Sequence, residues 1–267
     1  LKLSFHRDDA ASDDVGMTSA MYRADPRRPT LTPDNHLVLD VYSVGLSHEQ
    51  RFSKDTKLTT LLYAYETDRI WRRPDYTRSP ALGEDYVRIV GDVSTPNGAI
   101  WFKNSATILD RTYDVLGFEP RAQHRFDTGP VAHTIDFGGR ALRELAHYQQ
   151  RSGDSPLSYS GSLDFEEKHE GTAFAAYVQD RIAFTDKLMV TPGVRFEYLK
   201  FSRVVLRQNT GAGVVDVHAE GSKDVNGLVP GVGIVYGTKE AHVFGGIHSG
   251  FAPPRVTSAI SARGVTS

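Results

Sequence analysis

The sequence contains no cysteine, so neither disulfide bonds nor thiolate metal sites are available to it. No apolar run approaches the eighteen or so residues that a membrane-spanning helix needs, which excludes a helical membrane protein. The net charge of -2 gives no electrostatic reason to expect a nucleic-acid partner. The sequence contains no signal-peptide pattern and Leu1 already lies in the strand-like stretch LKLSF, so we expect either a processed protein or, favoured by the start inside a strand, a fragment.

Enzyme motifs are equally scarce. The histidines form no HExxH motif and no helical i, i+4 pair, so a zinc enzyme has no support. Residues 136–138 spell DFG, but neither an HRD loop nor a glycine-rich nucleotide loop accompanies them. The sequence therefore nominates no catalytic residue, no resident metal and no cofactor.

Alternating apolar and polar residues are present instead, most clearly in residues 172–206. This stretch predicts two long strands joined by the tight turn Thr185–Lys187. A period of two with one apolar face indicates a sheet between two different solvents. Phe201 and Val205 have the opposite parity, which a bulge near Leu199 would explain. The apolar set is Leu188, Val190, Pro192, Val194, Phe196 and Tyr198, and the opposite set is Thr191, Gly193, Arg195 and Glu197.

The connections between predicted strands alternate in length along the chain. In an antiparallel barrel every second connection lies on the same rim, so all the short turns share one rim and all the long loops the other. The short connections are 53–56, 128–130, 185–187 and 237–240, and the long ones are 8–35, 73–110, 151–171 and 208–226. Within the second long connection, residues 85–93 predict a small strand of their own.

This one-sided pattern predicts an all-β fold, a portion of an antiparallel transmembrane β-barrel. We expect about nine long strands, short periplasmic turns and long extracellular loops. The mean hydropathy of -0.37 is compatible with that fold, because barrel strands distribute their apolar residues in alternation. The alternative, a soluble β-sandwich or a piece of a propeller, predicts evenly spaced turns without such one-sidedness.

Several stretches resemble the TonB-dependent outer-membrane receptors. Residues 175–198 are similar to a strand pair of that family, and residues 227–255 to the following hairpin, which ends in a GF-x-PP segment at 250–254. Residues 22–27 and 83–92 resemble the ferric-dicitrate-receptor-like branch. The resemblance implies a barrel of about 22 strands that encloses a plug and imports ferric chelates with energy from TonB. Residues 1–267 would then be a partial barrel domain of a Gram-negative outer membrane, without the plug and the C-terminal strands.

Arginines in the predicted loops are the candidate ligand-binding residues. Guanidinium groups stay charged and bind carboxylates in a bidentate way, which suits an anionic ferric citrate or siderophore. Solvated loop charge, or contact with lipopolysaccharide phosphates, is the alternative. The candidates are Arg23, Arg27, Arg28, Arg72, Arg73, Arg78, Gln150 and Arg151, with Gln149 at the same height.

The remaining conspicuous residues receive structural interpretations. Arg195, Glu197 and Glu49 are expected to face the lumen as wall residues that pair with one another or with the plug. The acidic pairs Asp8-Asp9 and Asp13-Asp14 could hold a divalent cation, but solvation is the simpler interpretation because EF-hand spacing is absent. A lipid-facing aromatic belt is predicted for Tyr63, Tyr65, Trp71, Phe196 and Tyr198.

The partners expected from this interpretation are a ferric chelate, TonB, and outer-membrane lipid and lipopolysaccharide. A passive porin, an adhesin, and a TonB-dependent receptor for a non-iron cargo remain open alternatives. A barrel enzyme would need Asp/His or Ser/His groups at the rim within hydrogen-bond distance.

Overall fold

The computed structural model describes residues 1–12, 15–28, 31–32 and 34–260, which form one antiparallel sheet and two short helices. The strand order is β1-β2-β3-β5-β6-β7-β8-β9-β10, and β4 pairs with β5 beside that path. This architecture confirms the predicted all-β antiparallel wall, including the small strand within residues 85–93. The elements are β1 Lys2–Ala11, α1 Ser19–Ala24, β2 His36–Arg51, β3 Thr56–Thr77, β4 Arg88–Gly91, β5 Ala99–Thr128, β6 Val131–Gly153, β7 Ser162–Ala183, β8 Leu188–Asn209, β9 Val214–Gly237, β10 His242–His248 and α2 Val256–Ala259.

The predicted short turns are present and lie on one rim. Residues 52–55, 129–130, 184–187 and 238–241 join neighbouring antiparallel strands, so they fall at the same edge of the sheet. In the first of these turns the Ser53 hydroxyl accepts hydrogen bonds from the backbone N–H groups of Asp55 and Thr56. Gly129 adopts a φ of 63°, a left-handed conformation that a side chain rarely takes.

The connections on the opposite rim are shorter than predicted. The strands continue well into the stretches interpreted as loops, and only residues 154–161 and 210–213 separate β6 from β7 and β8 from β9. Ala99–Asp110 likewise belongs to β5 instead of the preceding connection. The prediction was wrong there because these strand ends lose the apolar alternation while the backbone ladder continues: residues 166–170 are polar on both faces, and residues 99–102 are apolar on both faces. No described helix has the length and apolar character needed to cross a membrane.

The two faces of the sheet differ in chemistry. We call the apolar face the one that presents the large exposed side chains Val44, Leu62, Phe118, Phe137 and Phe174. Cross-strand partners share a face, and the register places these residues in line across the strands. The polar face is the opposite one, and it presents Thr59, Arg121, Gln123, Asp136, Gln179, Arg181 and Arg195. A continuous exposed apolar surface of this kind needs an apolar environment.

The aromatic belt was predicted only in part. Phe196 and Tyr198 lie on the apolar face, since they pair with Ala176 and Phe174. Tyr63, Tyr65 and Trp71 were assigned to the wrong face, because their neighbours Leu62 and Ala64 pair with the apolar-face residues of β2. The same register puts all three aromatic side chains on the polar face.

Close packing over glycine explains why Tyr63 is found on the polar face. Its ring covers Gly117 so closely that a Cβ there would lie 2.1 Å from the Tyr63 Cζ atom. The Tyr63 hydroxyl also donates a hydrogen bond to the Glu119 carboxylate at 3.3 Å. A glycine in a strand interior often marks such a close approach, so the aromatic side chain on β3 and the glycine on β5 form one packing unit.

The register through Leu199 is regular, so the bulge predicted there is absent. Irregularities occur instead between Glu166 and Glu167 and between Val205 and Arg207. Phe201 and Val205 are therefore on the polar face, where both are buried against α2. Their parity reflects a local apolar patch on that face, not a shift in the strand.

Substituting Gly117 by alanine should destabilise the wall. The new Cβ would collide with the Tyr63 ring, and overpacking of this kind costs about 1–3 kcal/mol. Thermal unfolding of the detergent-solubilised protein, followed by heat-modifiable gel mobility, should show a lowered midpoint. Gly45→Ala is the matched control, because Gly45 also pairs with Tyr63 but nothing lies within 4 Å of a Cβ at that position. Equal midpoints for the two variants would contradict the packing account.

Candidate functional site

The predicted arginines of the first connection lie on its exposed surface. Arg23 is in α1, where its Nε donates to the Ser19 carbonyl oxygen at 3.3 Å. Arg27 and Arg28 follow in a turn in which their backbone N–H groups donate to Asp25. All three side chains are exposed, so their role in binding stays a prediction.

Arg72 is in a different environment, because it is buried at 6% exposure. Its Nε donates to the Asp34 carbonyl oxygen at 3.2 Å, and its Nη1 donates to the Leu157 carbonyl oxygen at 2.9 Å. Its guanidinium carbon lies 4.0 Å from the centre of the Tyr159 ring. Cross-strand pairing with His36 and Ile108 puts Arg72 on the apolar-face side of the wall. The arginine thereby fixes the connection 154–161 to the end of the first long connection, just before β2.

The other predicted residues divide between the faces. Arg151 pairs with Ile108 and lies on the same side as Arg72, where its Nη2 donates to the Gln149 side-chain oxygen at 2.8 Å. Gln150 pairs with Leu109 on the polar face. Arg73 is also on the polar face, one position along β3 from Arg72.

Arg78 is at the start of the connection 78–98. It donates through Nη2 to the Val15 carbonyl oxygen at 2.8 Å, so it ties this connection to the first one. Further along, hydrogen bonds from Ser94 and Thr95 hold the pKa of Asp92 below its ordinary value. This connection is therefore held at its start by a bond to the first connection and near its end by local hydrogen bonds.

A band of arginines on aromatic rings crosses the polar face near the long-connection rim. The guanidinium carbons of Arg69 and Arg73 lie 5.1 and 4.8 Å from the Trp71 ring centre. On the neighbouring strands, Arg111 lies 4.8 Å from the centre of the Tyr148 ring. We call these five residues the arginine–aromatic band; they are contributed by β3, β5 and β6.

Two arginines of this band oppose each other directly. Arg69 and Arg111 are cross-strand partners on β3 and β5. Like charges at directly opposed positions destabilise a sheet. Within the part of the chain that the structure describes, no carboxylate forms an ion pair with either of them. The pair therefore presents uncompensated positive charge on the polar face.

Sequence reasoning missed Arg69 and Arg111 because both lie inside strands, not in loops. Arg69, Trp71 and Arg73 recur at every second position, so they share one face. That alternation was a usable signal, but Trp71 had been assigned to the lipid-facing belt, which hid the arginines beside it. Arg111 had no comparable signal, since it faces Arg69 only through the register of β3 and β5.

A buried charged cluster adjoins the band on β7 and β8. The Tyr148 ring centre lies 4.6 Å from that of His169. The His169 Nε2 atom is 3.1 Å from one Glu167 carboxylate oxygen, and the Arg203 Nη2 atom is 2.6 Å from the other. Glu167, His169 and Arg203 are 3%, 7% and 6% exposed. A buried pair of this kind is retained only where its partners are well satisfied.

Nearer the short-turn rim the polar face carries paired charges. Asp136 accepts hydrogen bonds from Gln123 at 2.8 Å and from Arg181 at 2.9 Å. Arg195 pairs with Glu197, as expected for wall residues that bind one another. Glu49 pairs with residues of its own hairpin, Arg51 and Lys57. These charges are paired with partners on the same wall, in contrast to Arg69 and Arg111 of the arginine–aromatic band.

The predicted acidic pairs do not form a metal site in the described residues. The Asp9 carboxylate lies 2.7 Å from His36 and 3.7 Å from Arg7, whereas Asp8 is on the opposite face. Asp13 and Asp14 lie outside the described residues. Across the described ranges, no group of three or more His, Asp or Glu side chains is placed to hold a metal ion.

Comparison with known proteins gives a family match over nearly the whole chain. The family model described as TonB dependent receptor-like, beta-barrel, matches residues 3–266. No curated protein sequence matches the chain.

Solved structures show the same fold at low sequence identity. The ferric citrate transporter FecA in its unliganded form has a TM-score of 0.67 and 21% identity, over 91% of this chain and 32% of its own. The ferric-catecholate import receptor Fiu of E. coli K12, in its open form, has a TM-score of 0.65 and 15% identity, over 82% and 37%. The ferric yersiniabactin uptake receptor FyuA from Yersinia pestis has a TM-score of 0.51 and 15% identity, over 79% and 28%. The chain thus spans about a third of the length of these structures.

Replacing Arg72 by methionine should loosen the connection 154–161. The change removes two hydrogen bonds from a charged donor and one cation–π contact, worth about 2–4 kcal/mol together. Hydrogen exchange of residues 154–161 should therefore become faster, while the sheet keeps its protection. Arg23→Met is the control, because the Arg23 side chain is exposed and donates only to its own helix. Unchanged exchange in Arg72→Met would contradict the anchoring role.

Proposed function

Because the chain belongs to the family of TonB-dependent receptor β-barrels, we propose that it forms part of the wall of an outer-membrane receptor for an anionic ferric chelate. The family consists of transporters, not enzymes, and the proposal includes no covalent chemistry. The energy for uptake comes from TonB. The exposed apolar face is the lipid-facing surface, and the polar face lines the lumen.

The observation that supports an anionic ligand is the direct cross-strand pairing of Arg69 with Arg111. Two directly opposed guanidinium groups cost stability unless an anion lies between or above them. Each is held near an aromatic ring, which limits its freedom and leaves its N–H groups available for bidentate contact. A carboxylate-bearing chelate supplies oxygens in the geometry that such groups bind.

The position of the band fits an entry step from the long-connection side. The band lies toward that rim, where the connections 12–35, 78–98 and 154–161 converge. In the proposed mechanism these extracellular connections admit the chelate and the band holds its negative charge. Nearer the short turns Arg121, Arg181 and Arg195 are paired with carboxylates and hold an anion less strongly than the band does, so the ligand can move on toward the periplasm. The predicted loop residues Arg23, Arg27 and Arg28 act in the first capture.

The proteins of similar fold described above are a ferric citrate transporter, a ferric-catecholate import receptor and a ferric yersiniabactin uptake receptor. All three cargoes are ferric chelates, which supports the choice of iron over a cobalamin or a carbohydrate. Among ferric chelates, the guanidinium-rich band favours one with free carboxylates.

Substituting both Arg69 and Arg111 by alanine should weaken chelate binding. Losing two charge-assisted contacts of about 1.5 kcal/mol each corresponds to about a 100-fold rise in Kd. Binding of ferric citrate to the purified protein, made from its complete gene, is measured by tryptophan fluorescence or calorimetry. Arg143→Ala is the control, because Arg143 pairs with Glu170 on the opposite face. An equal loss of affinity in the Arg69/Arg111 double variant and in Arg143→Ala would show that the arginine–aromatic band is not part of the binding site.

The choice of cargo is tested by growth under iron limitation. Cells whose only receptor is the complete gene product are supplied with ferric citrate, a ferric catecholate or a ferric hydroxamate in turn. Growth on at least one ferric chelate is expected. If no ferric chelate supports growth, the iron assignment fails, and cobalamin and carbohydrate uptake become the next assays.

Energy from TonB is tested separately from binding. Deleting TonB should abolish uptake of the radiolabelled chelate, while equilibrium binding to isolated outer membranes is retained, because binding needs no energy input. A passive porin behaves differently, with uptake unchanged by the deletion and proportional to the external concentration. That result would contradict the receptor hypothesis and favour a passive porin.

A further inference from the structure

An apolar patch occurs on the polar face at the level of the arginine–aromatic band. Phe201 and Val205 of β8 are 5% and 2% exposed there, on the face that also carries Arg195, Glu197 and Arg203 of the same strand. Neighbouring apolar side chains extend the patch, namely Phe165, Leu199, Val217, Ala219 and Val225. Such a patch on a water-facing wall needs a cover.

The cover is the segment that follows β10, residues 249–260, which we call the strap. The chain leaves the sheet after His248, and Pro253 and Pro254 cannot donate to a β-ladder. The Phe251 ring then packs on Gly227 so closely that a Cβ there would lie 2.5 Å away. Val256, Ala259 and Ile260 complete the cover, and Ile260 is 5% exposed on the patch.

One arginine fastens the end of the strap to the wall. The Arg203 Nη1 atom donates to the Ile260 carbonyl oxygen at 2.8 Å. The Nε and Nη2 atoms of the same guanidinium lie 2.6 Å from one Glu167 carboxylate oxygen. The buried Glu167–Arg203 pair therefore aims a fixed donor at the strap, and the strap in turn excludes water from that pair.

The backbone of the strap is attached only weakly. The Ser249 N–H donates to the Pro230 carbonyl oxygen at 3.0 Å, and the other backbone–backbone bonds of residues 249–260 lie within the turn of α2 and its caps. α2 spans Val256–Ala259 and has no side-chain cap. A segment with few backbone bonds to its surroundings opens at lower free energy than the ladder beneath it.

From these contacts we propose that the strap opens from the wall while the sheet stays intact, and that Arg203 is its latch. Opening exposes the apolar patch and the buried Glu167–Arg203 pair, which His169 and Tyr148 connect to the arginine–aromatic band. In the receptor proposed above, and resting on that proposal, the strap is an internal gate beside the ligand. Strap opening itself occurs without ligand, so it is tested independently of uptake.

The absence of cysteine from the chain makes opening measurable at one site. Val205→Cys places a thiol under the closed strap, and its reaction with a water-soluble maleimide reports the open population. The thiol should react much more slowly than that of Asp186→Cys in an exposed turn. Adding Arg203→Met should accelerate labelling at position 205 about tenfold, the change expected when a charged hydrogen bond is lost.

Two further variants keep the test decisive. Because Arg203→Met leaves Glu167 buried without its cation, the Glu167→Gln/Arg203→Met pair is measured beside it and should give the same acceleration. Ile260→Ala weakens the apolar docking without touching the latch, and it should also accelerate labelling. Arg195→Met is the control, since Arg195 has an ion pair on the same face but does not contact the strap. It should leave the rate unchanged.

Three results would overturn the proposal. Fast labelling of Val205→Cys in the parent protein, at the rate of Asp186→Cys, would show that the strap does not cover the patch. Unchanged labelling in the Arg203 and Ile260 variants would show that neither contact holds it. Equal acceleration in Arg195→Met would indicate general loosening of the wall. Heat-modifiable gel mobility establishes that each variant retains its folded sheet.

Discussion

The antiparallel hydrogen-bond ladder is the constraint on which the structure depends. A wall with lipid on one side has no water there to satisfy its backbone, so strands must pair along their full length. The ladder fixes which residues lie opposite one another, and pairing then decides the face of every side chain. It holds Tyr63 over Gly117, and it brings Arg69 and Arg111 together.

The environment of each arginine follows from that register and decides what the arginine can do. Arg72 and Arg73 are consecutive, yet they lie on opposite faces. Arg72 donates hydrogen bonds to the carbonyl oxygens of Asp34 and Leu157, so it anchors the two connections that contain these residues. Arg69 and Arg111 lie on the polar face without an ion pair among the described residues, and this leaves them suited to an anionic ligand. The same residue type thus has two roles, separated by the pleat of one strand.

Much of the wall could be predicted from sequence because one face is apolar. Val44, Leu46 and Phe196 alternate with polar residues, and this parity agrees with the structure. Toward the long-connection rim the two faces no longer differ regularly in polarity, so the sequence does not distinguish a strand from a loop, although Ala99–Asp110 and Val214–Asn226 remain in the ladder. Tyr63 and Trp71 misled the prediction because an aromatic ring can pack over a glycine or under a guanidinium as well as against lipid.

By itself, the sequence determined the all-β class, the rim that holds the short turns and the family resemblance, because periodicity and turn chemistry are local properties. The candidate site and the strap required the tertiary structure. Arg69 meets Arg111, and Arg203 meets Ile260, only across strands or segments that are far apart in the chain. Which face a residue occupies and what it touches depend on register, and register is set by the pairing of whole strands, not by any one of them.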